Sequence, residues 1–279
     1  RVLGEEHPDT LTSRGNLATV LRDLGRLEEA EAELRAVVEV CRRVLGEEHP
    51  STLASRGNLA AVLRRLGRLE EAEAEHRAVL EARRRLLGEE HPDTLTSRNN
   101  LAAVLRRLGR LEEAEAEHRA VLEARRRLLG EEHPDTLTSR NNLALVLRDL
   151  GRLEEAEAEH RAVLEARRRV LGEEHPDTLT SRGNLATVLR DLGRLEEAEA
   201  EHRAVLEARR RLLGEEHPDT LTSRNNLALV LGDLGRLGEA EAELRAVLEA
   251  RRRVLGEEHP DTLTSRNNLA LVLGDLGRL

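Results

Sequence analysis

Leu143-Ala144-Leu145-Val146-Leu147-Arg148-Asp149-Leu150-Gly151-Arg152-Leu153-Glu154-Glu155-Ala156 carries the two periodicities that decide the architecture. Up to Gly151, the residues Leu137, Leu143, Ala144, Val146, Leu147 and Leu150 recur at spacings of three and four, which predicts an amphipathic helix, here helix A. Glycine ends it. After the turn Gly151-Arg152, the set Leu153, Ala156, His160, Val163, Leu164 and Leu171 carries the same period through helix B, which Gly172 terminates. In the connection Gly172-Glu173-Glu174-His175-Pro176, the proline disfavours helix in the residue before it yet suits the first turn of a new helix. The stretch predicts a helical hairpin followed at once by the next.

That hairpin is copied along the chain. Repeats begin at Arg1, Arg43, Arg85, Arg127, Arg169, Arg211 and Arg253, each 42 residues after the last, and the seventh stops at Leu279 before its second helix. A fixed period of this length signals a solenoid, so residues 1–279 are expected to form a single array. Helix B has Glu154 and Glu155 in its first turn and Arg167, Arg168 and Arg169 near its end, which suits the helix dipole. Glu157 to Arg161 and Glu165 to Arg169 have the i,i+4 spacing of ion pairs worth about 0.2–0.5 kcal/mol each. With no aromatic side chain, stability must come from strong helix formers and stacked neighbours, and an isolated repeat is not expected to fold.

Composition narrows the function. The chain has no Phe, Tyr, Trp, Met, Lys, Ile or Gln, and all 45 basic residues are arginine, a usage that implies a high-GC bacterial genome. Starting at the tail of a repeat, it reads as a piece of a longer array. The net charge of −9 argues against a nucleic-acid binder, which needs a basic surplus on one face. No run approaches the roughly 18 apolar residues of a membrane span, so no membrane partner is expected. Cys41 is the lone cysteine and stands where five later repeats have arginine, which leaves no disulfide framework and fits a cytoplasmic setting.

The pattern Leu143-Ala144-x-x-Leu147-x-x-Leu150-Gly151-x-Leu153-x-x-Ala156 resembles the tetratricopeptide repeat, and the resemblance covers all seven repeats. The 42-residue period and the Leu171-Gly172-Glu173-Glu174-His175-Pro176 linker are similar to the kinesin-light-chain-like subclass, found also in bacterial proteins with an upstream NTPase module. The resemblance implies an all-α, right-handed superhelical solenoid of antiparallel hairpins that binds protein in a concave groove lined by helices A. Arg140, Leu147 and His160 stand where the common repeat favours aromatic residues. Armadillo and HEAT arrays have similar periods but lack the Leu-Gly turn.

Catalytic and metal readings find little support. The linker histidines His7, His49, His91, His133, His175, His217 and His259 occur once per repeat, and successive copies lie two helix packings of about 8–10 Å apart, too far for one ion. The other four, His76, His118, His160 and His202, share a helix B column with Leu34 and Leu244 and are expected to pack. Serines and aspartates near the linkers lack a histidine placed as base, and no nucleotide-binding glycine motif is present, so no enzyme activity and no cofactor are expected. The Glu and Arg runs of helix B read as a solvated face laced with ion pairs.

The helix A stripe differs. Only 12 of the 42 columns ever change, and the columns of Thr12, Gly15, Thr19, Arg22 and Asp23 fall on one helix A face. Every asparagine lies on that helix: Asn16, Asn58, Asn100, Asn142, Asn184, Asn226 and Asn268 in one column, with Asn99, Asn141, Asn225 and Asn267 one residue earlier. An amide can hold both the N–H and the C=O of an extended peptide, or it can bond a neighbouring helix, and both readings stand for this column. Exposed Glu31, Glu33 and Glu39 keep their identity in all six full repeats, so exposure alone does not account for the variable stripe. The last two stripe columns run from Arg64, Arg65, Arg106 and Arg107, through Arg148 and Asp149, to Gly232 with Asp233 and Gly274 with Asp275. The basic end is expected to receive an acidic segment of a partner peptide, and Asp149 is expected to need a partner such as Arg152 or a ligand, because it opposes the helix dipole. The expected function is a non-catalytic protein-interaction scaffold; the sensor array of a larger signalling NTPase and a structural spacer that self-associates end to end are the alternatives.

Overall fold

The computed structural model describes residues 4–278, which form thirteen α-helices and no strand. Helices A are α1 (Pro8–Asp23), α3 (Pro50–Arg65), α5 (Pro92–Arg107), α7 (Pro134–Asp149), α9 (Pro176–Asp191), α11 (Pro218–Asp233) and α13 (Pro260–Asp275). Helices B are α2 (Leu27–Leu45), α4 (Leu69–Leu87), α6 (Leu111–Leu129), α8 (Leu153–Leu171), α10 (Leu195–Leu213) and α12 (Leu237–Leu255). The chain divides into two compact bodies, Arg1–Glu131 with α1–α6 and Glu132–Leu279 with α7–α13. Within each body every helix packs on the one before and the one after. Successive helices A also touch, α1 with α3 in the first body and α9 with α11 and α11 with α13 in the second.

The turn inside each hairpin follows from its sequence. In repeat four, Arg152 N–H donates to Leu147 C=O and Gly151 N–H to Arg148 C=O, both at 2.9 Å, which is a Schellman closure. Gly151 sits at φ 75°, open to glycine at little cost. At the crossing, Ala144 and Ala156 are fully buried, as are Ala60 with Ala72 and Ala228 with Ala240. Their missing bulk lets the two helices approach closely, and Leu143, Leu147 and Leu164 fill the flanks.

Each hairpin is laced by a recurrent ion pair where the common repeat has an aromatic. Arg140 Nε donates to Glu159 Oε2 at 2.7 Å between α7 and α8, and Arg56 to Glu75 and Arg98 to Glu117 repeat this at 2.6 Å. Glu157 and Arg161 form the expected i,i+4 pair at 2.7 Å. Arg169 departs from expectation: it reaches Glu132 at the start of its hairpin rather than Glu165. Leu171, expected on the buried stripe, is 36% exposed, because the last turn of the 19-residue helix B extends past its 16-residue partner.

The linker histidines have a role that sequence pattern did not show. His175 Nδ1 accepts the backbone N–H of Asp177 at 3.1 Å, capping α9, and its counterparts from His7 to His259 cap the other helices A in the same way. Imidazole here does what Ser or Asp does at most helix starts.

His76, His118, His160 and His202 are buried, as the apolar column predicts. Burial, with a smaller contribution from Arg148, holds His160 down to about 4, and neither ring nitrogen has a partner. Burial likewise lowers the other three to about 4. The folded pKa lies below the unfolded value near 6.5, so the unfolded chain takes up a proton the folded one refuses. Stability therefore falls as pH drops from about 6.5 to about 4, by about 3 kcal/mol per histidine at full effect. Replacing all four by leucine, the residue at Leu34 and Leu244, should remove most of that decline in Tm; an unchanged decline would assign it to carboxylates.

Candidate functional site

The asparagine columns fall into two groups. Asn184 Nδ2 donates to Asn141 Oδ1 at 2.8 Å and Asn268 Nδ2 to Asn225 Oδ1 at 3.0 Å, each from one helix A to the helix A before it. Asn99 and Asn142 are engaged as well. Where glycine replaces the earlier asparagine, at Gly15, Gly57 and Gly183, the following amide has no oxygen to reach. Asn58, Asn100 and Asn226 make no hydrogen bond to the described residues, and Asn58 and Asn100 are exposed, like Asn16 on the first helix A. The alternation of Gly and Asn in one column thus decides whether the next amide is tied to the scaffold or open.

The two charged columns are also used internally. In the first body Arg65 Nη1 donates to Arg22 C=O at 2.9 Å and Arg107 Nη1 to Arg64 C=O at 2.5 Å, so each caps the preceding helix A. In the second body Arg148 pairs with Asp191 and Arg190 with Asp233. For Asp191 and Asp233 the partner is therefore the arginine of the previous helix A, whereas Asp23 pairs with Arg22 at 3.0 Å and Arg152 binds Glu155 at 2.6 Å. A neighbouring cation offsets the unfavourable dipole position with no ligand present.

Arg64 is the exception. It is half-buried and has no carboxylate or acceptor among the described residues. Burial first, and then the nearby charges of Arg107, Arg65 and Arg22, push its pKa below the ordinary arginine value. Asp23 lies 3.0 Å from Arg22 and 3.8 Å from Arg65. Arg106 has a partner of its own.

Two of the constant helix B glutamates are held by the scaffold. Glu31 is half-buried and accepts from Arg35 at 2.8 Å and Arg68 at 2.5 Å, and Glu33 pairs with Arg14 at 2.8 Å. Structure explains their constancy, and only Glu39 remains constant and exposed without a bond. A cavity of about 240 Å³ opens between α1 and α3, bordered by the variable-column residues Thr12, Gly15 and Thr19 together with Asn16 and Asn58. Among the described residues no group of three His, Cys, Asp or Glu could hold a metal ion, and no helix is long and apolar enough to cross a membrane.

Stacked antiparallel hairpins with a Leu-Gly turn and alanine crossing define a helical-repeat scaffold. The tetratricopeptide repeat family profile matches residues 9–74, 54–116, 93–158, 135–201, 181–245 and 222–279, and the chain belongs to that family. It is similar to a kinesin light chain protein of Podosopora anserina with nearly identical repeats: 30% identity, 75% of this chain and 99% of that one, TM-score 0.62. BtubC (BKLC) of P. vanneervenii is 26% identical over 84% of this chain and 94% of its own, with TM-score 0.65. The quorum sensor NprR of B. thuringiensis, 16% identical over 98% of this chain and 71% of its own, shares the fold at TM-score 0.63. No curated protein matched. The fold is generally that of a non-catalytic scaffold for protein interaction.

The two groups of amides should differ in solution. Side-chain amide protons of Asn184 and Asn268 should exchange with solvent more slowly than those of Asn58 and Asn100 in NMR spectra. Equal rates in all four would mean the ladder is not formed.

Proposed function

We propose that the helix A face of the first body binds an extended partner peptide, with Asn58 and Asn100 holding its backbone and the cluster around Arg64 receiving an acidic side chain. The observation that carries this reading is Arg64, a half-buried guanidinium among like charges that no carboxylate of the described residues bonds. Such a group is expensive to keep unless something binds it, and a carboxylate can satisfy it through two parallel hydrogen bonds. Asn58 and Arg65 lie seven residues apart on α3, roughly 10 Å along the axis, so an amide and the cation cluster share one face. In the second body Asn184 and Asn268 bond the scaffold, while the site notion for Asn226 rests on its open amide alone. Of the remaining candidates, Asn16 is exposed on α1 and open to a ligand, Asn99 and Asn142 are engaged internally, and Asn141 accepts from Asn184.

Peptides selected by display on the intact protein provide the probe. Asn58→Ala with Asn100→Ala removes two hydrogen-bonding groups worth about 0.5–1.5 kcal/mol each, so binding should weaken roughly 5- to 150-fold with helicity unchanged. Gly57→Asn offers a sharper version: open space surrounds Gly57, and the new amide should engage Asn100 as Asn141 engages Asn184. Binding should fall although no ligand-facing group is deleted. Reversing charge at Arg64, Arg65, Arg106 and Arg107 should abolish selection of acidic peptides, and a salt-insensitive complex that survives the reversal would overturn the assignment of the basic cluster.

A further inference from the structure

Six positions depart from the repeat in one copy only: Val38, Val40, Cys41, Ser51, Ala54 and Gly238. Three of them, Cys41, Ser51 and Ala54, line the cavity between α1 and α3 described above. What fills the equivalent space elsewhere explains the coincidence.

In other repeats the Cys41 position is arginine, and it acts as a plug. Arg209 Nη1 donates to Ser223 Oγ at 2.9 Å and to Asp219 C=O at 3.1 Å, while Nη2 donates to Thr180 Oγ1 at 3.2 Å. Arg251 makes the same three bonds to Ser265, Asp261 and Thr222. Arg83 and Arg167 likewise hold Ser97 and Ser181. Thr180 and Ser223 occupy the columns of Thr12 and Ser55, which border the cavity, so the guanidinium lies where repeat one is open. Burial lowers the pKa of Arg167, Arg209 and Arg251, and the carboxylates of Asp177, Asp219 and Asp261 oppose that shift.

Around the cavity the plug and its counter-charge are gone together: Cys41 replaces the arginine and Ser51 replaces the aspartate. Electrostatics favours losing the arginine along with the aspartate, because losing the exposed aspartate alone would leave the arginine buried without its nearby counter-charge. Ala54, in place of threonine, removes further bulk. The floor is the buried apolar cluster of Leu11, Val37 and Cys41, and no charged side chain lines the space. Burial also raises the Cys41 thiol above its usual value, which keeps it a neutral, weakly polar wall.

We infer that this cavity is an anchor pocket for one uncharged, apolar side chain of the partner peptide, an inference that rests on the peptide-binding reading of the helix A face. At about 240 Å³ the space falls below the roughly 300–1,000 Å³ of sites for drug-sized ligands and suits a single side chain. Its apolar floor gains from burying a leucine- or phenylalanine-like group. A carboxylate would lose its hydration with no cation in the walls, and a guanidinium would meet the hydroxyls of Thr12 and Ser55 but no carboxylate to offset its charge. The open amides of Asn16 and Asn58 at the rim stand where they can hold the backbone on either side of the anchor.

The chain has no Phe, Tyr or Trp, so in saturation-transfer NMR the ring protons of a phenylalanine probe compete only with those of its eleven histidines. N-acetyl-phenylalanine amide and N-acetyl-leucine amide should receive saturation from the intact protein, and the capped aspartate and arginine amides should not. Cys41→Arg with Ser51→Asp rebuilds the arrangement of Arg167 and Asp177, so it should fold and silence the signal at least tenfold. The reciprocal change, Arg83→Cys with Asp93→Ser and Thr96→Ala, should open a second pocket between α3 and α5 and double the stoichiometry. Equal transfer to charged probes, or undiminished transfer in the plugged variant, would overturn the pocket. With display-selected peptides, a plugged variant that binds normally while Asn58→Ala with Asn100→Ala does not overturns the pocket alone. If the asparagine variant binds normally and the plugged one fails, the backbone-holding role falls and the pocket stands.

Discussion

Close approach of two helices at a pair of alanines is the constraint on which this protein depends. Ala144 on α7 and Ala156 on α8 have no accessible surface, and the same pair recurs through the array. With no aromatic side chain to span a wider gap, leucine and valine can fill the interior only if the helices lie close. The Schellman turn at Gly151 fixes the return angle that makes this contact, and the His-Pro linker starts the next helix A at once. Repetition then follows, since a hairpin this small buries its second face only against a neighbour.

Charge supplies what the small core lacks in specificity. The Arg140–Glu159 pair joins the helices of a hairpin, and Glu157 serves Arg161 on its own helix and Arg194 on the next repeat. Singly, exposed pairs of this kind contribute little. Their fixed spacing matters more, because a slip of register would place like charges opposite one another across many repeats.

The helices, their turns and the buried histidine column were legible in the sequence, because each rests on local spacing: three and four residues for Leu143, Ala144 and Leu147, and one glycine for each stop. The capping role of His175 was not, since imidazole is an uncommon cap and pattern alone cannot show where Nδ1 points. Nor was the pairing of Arg148 with Asp191. Those residues lie 43 positions apart, one repeat plus one residue, an offset that only the stacking of helices A creates. The same offset joins Asn184 to Asn141, and it explains why a column read as uniform divides into tied and open amides.

The differences among copies acquire meaning only against that stacking. A copied scaffold repeats its own solutions, so glycine in the column of Asn141 leaves an amide open in the next repeat, not in its own. By the same logic the departures at Ser51 and Ala54 belong to repeat two while Cys41 belongs to repeat one, although all three meet in one cavity. Drift at exposed sites has no reason to gather changes from two repeats into one space, nor to remove a buried cation together with the carboxylate that supports it. In a repeat array the unit of specificity is therefore the junction between neighbouring helices A, and a binding residue is defined by the repeat that follows it as much as by its own.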